Sequence, residues 1–199
     1  MSVLLAIDTA APRLALAVLR GERVETLVEE MATGQAERLF PALAELLERA
    51  GTSYGEITRI AVTTGPGSFT GLRIGLSAAR GLGLALSLPV LGVPSLLALS
   101  LGVPGPSAVL LDAKRGEAYF QSFDGPAQPM RAAALLPMAE AEALLPAGMT
   151  PITSPLVDIA ALARFAASAD PAAYPPEATY IRGADAKPQD RFRVARVPA

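Results

Sequence analysis

Two aspartates and one glycine-rich string are the residues whose types and spacing could do chemistry in this chain. Asp8 closes the apolar run Leu5-Ala6-Ile7 and Asp112 closes Val109-Leu110-Leu111; each then leads through a turn into a second apolar run, Leu14-Ala15-Leu16 and Ala118-Tyr119-Phe120. An aspartate at the end of a strand and the tip of a hairpin can hold magnesium beside ATP phosphates, or it can cap the turn that follows. Both hairpins lack the glycine and lysine arrangement of a phosphate loop, which favours capping. The string Gly65-Pro66-Gly67-Ser68-Phe69-Thr70-Gly71-Leu72-Arg73-Ile74-Gly75 lies between a strand and a helix. There the backbone at Gly65, Gly67, Ser68, Thr70 and Gly71 could cradle an anion or a nucleotide, with Ser68 or Thr70 capping the helix. The same glycines also permit a tight turn and close backbone packing, and without the lysine of a Walker loop packing is the stronger reading. Lys114 and Arg115, just past Asp112, are weak candidates for nucleotide or RNA contact, because two cations in a tight turn are usually solvated.

What is missing narrows the chemistry further. The 199 residues include no histidine and no cysteine, which removes disulfides, thiolate catalysis and the commonest general base and metal ligand. No aspartates or glutamates cluster at helical spacing to replace them, so neither a metal site nor a catalytic residue is assigned. The net charge of −2 gives no general attraction to phosphate backbones, so any RNA contact should be shared with partners. Lys187, Arg191, Arg193 and Arg196 make the tail locally basic, and they could touch RNA or another subunit or simply be solvated. The start lacks a secretory pattern, and the most apolar stretch, Leu72 to Leu88, carries Arg73, Arg80 and three glycines. A cytoplasmic chain without a membrane span is expected.

The elements that must position these residues follow from periodicity. Val3 to Ile7, Leu14 to Leu19 and Arg23 to Glu30 read as an antiparallel meander of strands. Gln35 to Ala50 reads as a helix stopped by Gly51, Arg59 to Thr64 as a buried strand, Leu72 to Leu88 as a second helix, Pro89 to Val93 as a strand and Ser95 to Leu101 as a short helix. Beyond a linker at Gly102 to Pro106, strands are expected at Ala108 to Leu111 and Ala118 to Phe123, and helices at Met138 to Leu145 and Asp158 to Ala169. This divides the chain into a first lobe at 1–102, a reduced second lobe at 107–175, and an extended or disordered tail at 176–199. The repeated strand, aspartate and hairpin make the lobes look duplicated. The expected fold class is α/β, resembling the two-lobed superfold of actin, sugar kinases and heat-shock ATPases.

The two long helices carry more apolar surface than sheet packing needs. In the first, Leu39, Leu43, Leu46 and Ala50 form a stripe that Phe40 and Leu47 widen. In the second, Arg73 and Arg80 stand one heptad apart on an otherwise apolar helix. A surplus of this kind marks either a generous core or an interface. The interface candidates are Leu39, Leu43, Leu46, Leu72, Gly75, Leu76, Ala79 and Gly83, and a glutamate at Leu43 or Ala79 is expected to block docking before it unfolds the lobe.

As a whole string, Gly65 to Gly75 resembles the signature of the bacterial TsaB, or YeaZ-type, family. Ile7-Asp8-Thr9, Glu37-Arg38-Leu39-Phe40-Pro41, the stretch from Asp112 to Tyr119 and the closing segment Pro176 to Arg182 agree with it. Gln35 departs from it, because members often carry a histidine at that position. The resemblance implies a non-catalytic subunit that binds and activates TsaD, its catalytic relative, for forming threonylcarbamoyladenosine next to the anticodon of tRNAs that read codons beginning with A. It implies a heterodimer through helices 35–50 and 72–88, with the TsaE ATPase in a larger complex and tRNA bound only as part of that complex. No cofactor is expected on this chain alone, with ATP and metal on partner subunits. Monomer and homodimer both remain open for the free chain. Two alternatives stand beside this reading: a small ATP-dependent enzyme of the same superfold, and a self-associating scaffold.

Overall fold

The computed structural model describes residues 2–182 and builds them into two sheets separated and flanked by helices. The first sheet holds β1 (Val3–Asp8), β2 (Arg13–Arg20), β3 (Arg23–Glu30), β4 (Arg59–Thr63) and β5 (Val90–Val93) in the order β3-β2-β1-β4-β5. β1, β2 and β3 form an antiparallel meander, and β1, β4 and β5 run parallel through helical crossovers. Side chains alternate along these strands, so the sheet has two apolar faces. Val3, Leu5, Ile7, Leu14, Leu16 and Val18 face α1 (Gln35–Ala50) and α2 (Phe69–Leu86), whereas Leu4, Ala6, Ala15, Ala17 and Leu91 face the other way.

That second face is covered from beyond the predicted lobe boundary. α5 (Ile159–Ser168) lays Ile159, Leu162, Ala163 and Ala166 on it, in one core with α3 (Ser95–Ser100) and with Val109, Leu111 and Phe123 of the second sheet. Arg59 Nη1 fixes the end of α5 by donating to the carbonyls of Ala166 at 2.8 Å and Ala169 at 2.9 Å. The stretch 107–175, expected as a second lobe, thus contributes to the cores of both sheets. Its last helix packs with the first sheet, because the small residues Ala6, Ala15 and Ala17 leave room for a helix there.

The second sheet joins β6 (Ser107–Asp112) to β7 (Glu117–Gly125), with β8 (Gln128–Pro129) and β9 (Ala134–Pro137) on β7. α4 (Met138–Ala143) covers its outer face through Ala141 against Ala108, Leu110, Ala118 and Phe120. Asp8 pairs across its hairpin with Ala15, and Asp112 across its own with Ala118, so the internal echo in the sequence is a repeated structural unit.

The residues ahead of α2 are shaped by contact with the first hairpin. Ser68 caps the helix by accepting from the Gly71 N–H at 3.2 Å, which starts it three residues before the predicted Leu72. The Ser68 N–H donates to the Ala10 carbonyl at 2.8 Å, and Thr9 Oγ1 donates to the Gly71 carbonyl at 2.6 Å. A Cβ on Gly71 would lie 2.0 Å from the Thr9 carbonyl oxygen, so only glycine allows the two backbones this close. Gly71→Ala is expected to cost about 1–3 kcal/mol or more. Gly81→Ala, where a Cβ meets nothing within 4 Å, should gain about 0.5–1 kcal/mol. Thermal melting of the two variants checks the contrast.

Candidate functional site

Two regions collect the chemistry-bearing and exposed residues: a cleft between the sheets and a groove between α1 and α2. The cleft, about 540 Å³, is lined by Ala10, Gln35, Gly67, Ser68, Asp112 and Lys114 among others. It thus gathers Asp112 and Lys114 of the second hairpin and part of the glycine loop. The other loop positions are committed elsewhere. The Gly65 N–H donates to Ser95 Oγ at 3.1 Å, the Gly71 N–H is held by Ser68, and Thr70 lines the helix groove. Gln35 sends its amide to the Met31 carbonyl at 3.1 Å. Lys187, Arg191, Arg193 and Arg196, with the rest of the tail beyond Arg182, lie outside the described residues.

The two echoed aspartates occupy different environments. Asp8 is fully buried; its Oδ1 accepts from Thr63 Oγ1 at 2.7 Å and from the Ala10 N–H at 3.1 Å. Its Oδ2 has no hydrogen-bond partner among the described residues, and the nearest cation, Arg13 Nη2, stands 3.8 Å away. That nitrogen donates to the Val157 carbonyl. Burial raises the Asp8 pKa above its ordinary 3.8, outweighing the opposing pull of Thr63, Ala10 and Arg13, because a charge at the outer limit of ion pairing compensates lost solvation poorly. Asp112 is exposed; Lys114 Nζ and the Lys114 N–H, each 2.7 Å from the carboxylate, hold its pKa below the ordinary value. Each aspartate accepts from the backbone N–H two residues on, the geometry of a turn cap. Lys114 and Arg115 both have positive φ, 66° and 58°, so this turn holds two successive non-glycine residues in the left-handed region.

The helix groove corrects the interface candidates. Leu39, Leu43, Leu46 and Ala79 are at most 1% exposed, and Leu72 and Leu76 are buried as well. A Cβ on Gly75 would lie 2.6 Å from Thr9 Oγ1, and one on Gly83 would lie 2.3 Å from Val90 Cγ2. All eight are buried within the chain itself, and the small residues of α2 let that helix approach the first sheet. Leu39 alone of the eight reaches the groove, as part of its floor. The exposed lining is Ala36 and Phe40 of α1 with Phe69, Thr70, Arg73, Ser77 and Gly81 of α2, around a volume of about 800 Å³. Phe40 is 48% exposed and Phe69 58%. Arg73 and Arg80 mark this outer face in the sequence, and the apolar residues flanking them were the available signal.

No group of three or more histidine, cysteine, aspartate or glutamate side chains capable of holding a metal occurs among the described residues, and no described helix is long and apolar enough to cross a membrane.

Comparison with known proteins finds relatives of the chain. A family model described as TsaD, tRNA N6-adenosine threonylcarbamoyltransferase, matches residues 29–153. The tRNA threonylcarbamoyladenosine biosynthesis protein TsaB of Escherichia coli is 36% identical over 125 residues, which are 60% of this chain and 54% of that one. The protein of the same name from Bacillus subtilis is 33% identical over 58% of this chain and 52% of its own length. The chain thus spans about half the length of the curated relatives it matches. Among solved structures, YeaZ from Pseudomonas aeruginosa aligns with a TM-score of 0.76 at 26% identity, covering 90% of this chain and all of that one.

The raised Asp8 pKa has a pH signature. A carboxyl whose folded pKa lies above its unfolded one stabilises the fold below the unfolded value and loses that contribution as pH rises through the folded one. Asp8→Asn keeps an acceptor for Thr63 and Ala10 without the buried charge. Its melting temperature relative to the parent should therefore climb as pH rises above 3.8, and a flat difference would mean that burial does not shift Asp8. Asp8→Ala leaves two donors without their acceptor and should cost about 2–4 kcal/mol, whereas Asp112→Ala should leave the melting temperature nearly unchanged.

Proposed function

The chain belongs to the TsaD family of tRNA N6-adenosine threonylcarbamoyltransferases as a TsaB, YeaZ-type member, and on that premise we propose that it is a non-catalytic subunit that binds and activates its TsaD-type relative in forming threonylcarbamoyladenosine on tRNA. The observation that carries this reading is the open apolar groove between α1 and α2, where Phe40 and Phe69 are half exposed beside Arg73. Large exposed apolar side chains around one concavity mark a docking surface better than scattered ones do. A pair of partner helices laid into it would complete a four-helix arrangement. The TsaE ATPase and tRNA join only in the larger complex, where ATP and metal chemistry lie on the partner subunits.

Residue chemistry favours a supporting role over a catalytic one. The chain has no histidine or cysteine, Asp8 is enclosed by Thr63, Ala10 and Arg13, and Asp112 is paired with Lys114. A purified chain supplied with ATP and magnesium is therefore expected to turn over no nucleotide, and turnover removed by Asp8→Ala would restore the small-enzyme reading.

The docking test uses exposed positions. Phe40→Asp and Ser77→Asp should each weaken association with the TsaD-type relative about hundredfold, because burying an unpaired carboxylate costs about 3 kcal/mol or more. Their melting temperatures should stay near the parent's. Leu43→Glu, in contrast, should unfold the chain. Calorimetric titration beside thermal melting separates these outcomes, and sedimentation of the free chain shows whether a second copy fills the groove. Unchanged affinity in both groove variants would move the interface elsewhere.

A further inference from the structure

Past the N-terminal end of the groove, Phe69 and Arg73 form a ridge with a second concavity of about 530 Å³ behind it, lined also by Leu72, Tyr119, Tyr180 and Arg182. The segment after α5 builds its far wall. The Thr179 N–H donates to the Thr64 carbonyl at 2.8 Å, Thr179 and Thr64 share a hydroxyl contact at 2.9 Å, and Arg182 donates to the Ala113 carbonyl at 2.9 Å while pairing with Glu117 at 2.7 Å. Tyr180 is thereby presented at a fixed place with 57% of its surface exposed. Its ring stands 6.5 Å from that of Phe69 at 38°. That gap is close to two base-stacking steps of about 3.4 Å each, so a flat ring can enter between the two side chains after a small rotation. The Arg73 guanidinium lies 3.6 Å from the centre of the Phe69 ring and makes no ion pair among the described residues.

Charge is distributed to match. The chain carries a net charge of −2, yet Arg73 and Arg182 line this concavity, with the Glu117 carboxylate paired to Arg182 as the counter-charge beside them. An exposed aromatic pair with an arginine stacked on one of its rings has the chemistry of a single-stranded nucleic acid site, where rings stack on bases and cations follow the backbone.

We propose that the Phe69–Tyr180 concavity holds one unpaired nucleotide of an RNA substrate, its base stacked between the two rings and its phosphate against Arg73. The proposal deepens the tRNA-modification reading and rests on it for the identity of the RNA. The site reads no sequence, because stacking tolerates every base, and it rejects a closed duplex, whose bases cannot enter.

The test uses the full chain, alone and with its TsaD-type relative, and a short fluorescein-labelled single-stranded oligoadenylate followed by anisotropy. Tyr180→Ala should weaken binding about tenfold and Tyr180→Phe less than about twofold. Arg73→Gln should reduce the slope of log affinity against log salt by about one. Unlabelled duplex RNA should compete poorly. Melting curves accompany each variant, and the Tyr180→Phe and Arg73→Gln results stand even where Tyr180→Ala loosens the closing segment. Equal binding by the parent and by stably folded Tyr180→Ala overturns the site, as does an absence of RNA binding in both preparations. A Tyr180→Ala protein that loses the relative but keeps the oligonucleotide assigns the concavity to a protein segment, which also overturns it. If no complex with the relative forms yet the oligonucleotide still depends on Tyr180, the nucleotide site stands and the partner reading falls.

Discussion

The approach of one backbone to another at Thr9 and Gly71 is the constraint on which both functional regions depend. Oxygen and Cα meet there with no room for a side chain, and the Thr9 hydroxyl and the Ser68 amide close the contact with hydrogen bonds of 2.6 and 2.8 Å. The start of α2 is thereby pinned to the turn that also carries the Asp8 cap. Since α2 cannot slide or rotate about this point, the phase of its surface is set. Gly75, Ala79 and Gly83 must face the sheet, and Phe69, Arg73, Ser77 and Gly81 must face outward.

In the string that looks like a phosphate loop in the sequence, the amides of Gly65, Ser68 and Gly71 are bonded within the chain. Its glycines Gly67, Gly71 and Gly75 leave the space that Thr9 and Ala10 occupy. The echoed aspartates follow the same logic. Two copies of one hairpin retain the turn cap, but burial has made one carboxyl hard to ionise while exposure beside Lys114 has made the other easy.

Most of the fold was legible because period and punctuation agree. The run Gln35 to Ala50 ends at Gly51 with φ of 60°, as its sequence reads, and β3 spans Arg23–Glu30 as expected. β9 was missed because Ala134–Pro137 has no alternation and becomes a strand only by pairing with β7. The burial of the interface candidates escaped the sequence for a different reason. A helical projection gives the width of an apolar arc but not which part meets the sheet, and Leu43 and Ala79 read equally well as core or surface until the contact at Gly71 sets the phase. The concavity at Tyr180 could not be read at all, since it requires Phe69, Arg73, Tyr119 and Arg182 to meet from distant parts of the chain.

The covering of the first sheet by α5 has a consequence for how the molecule is made. Leu4, Ala6, Ala15, Ala17 and Leu91 are synthesised early, but the helix that shields them ends only at Ser168, after the whole second sheet has been translated. Until then a finished five-stranded sheet has one apolar face open to water, in the crowded surroundings of a translating ribosome. The small side chains on that face keep the sticky area modest during the wait, and the same economy of size later seats α5. Any shortened version that stops at the linker would lack the helix that covers that face.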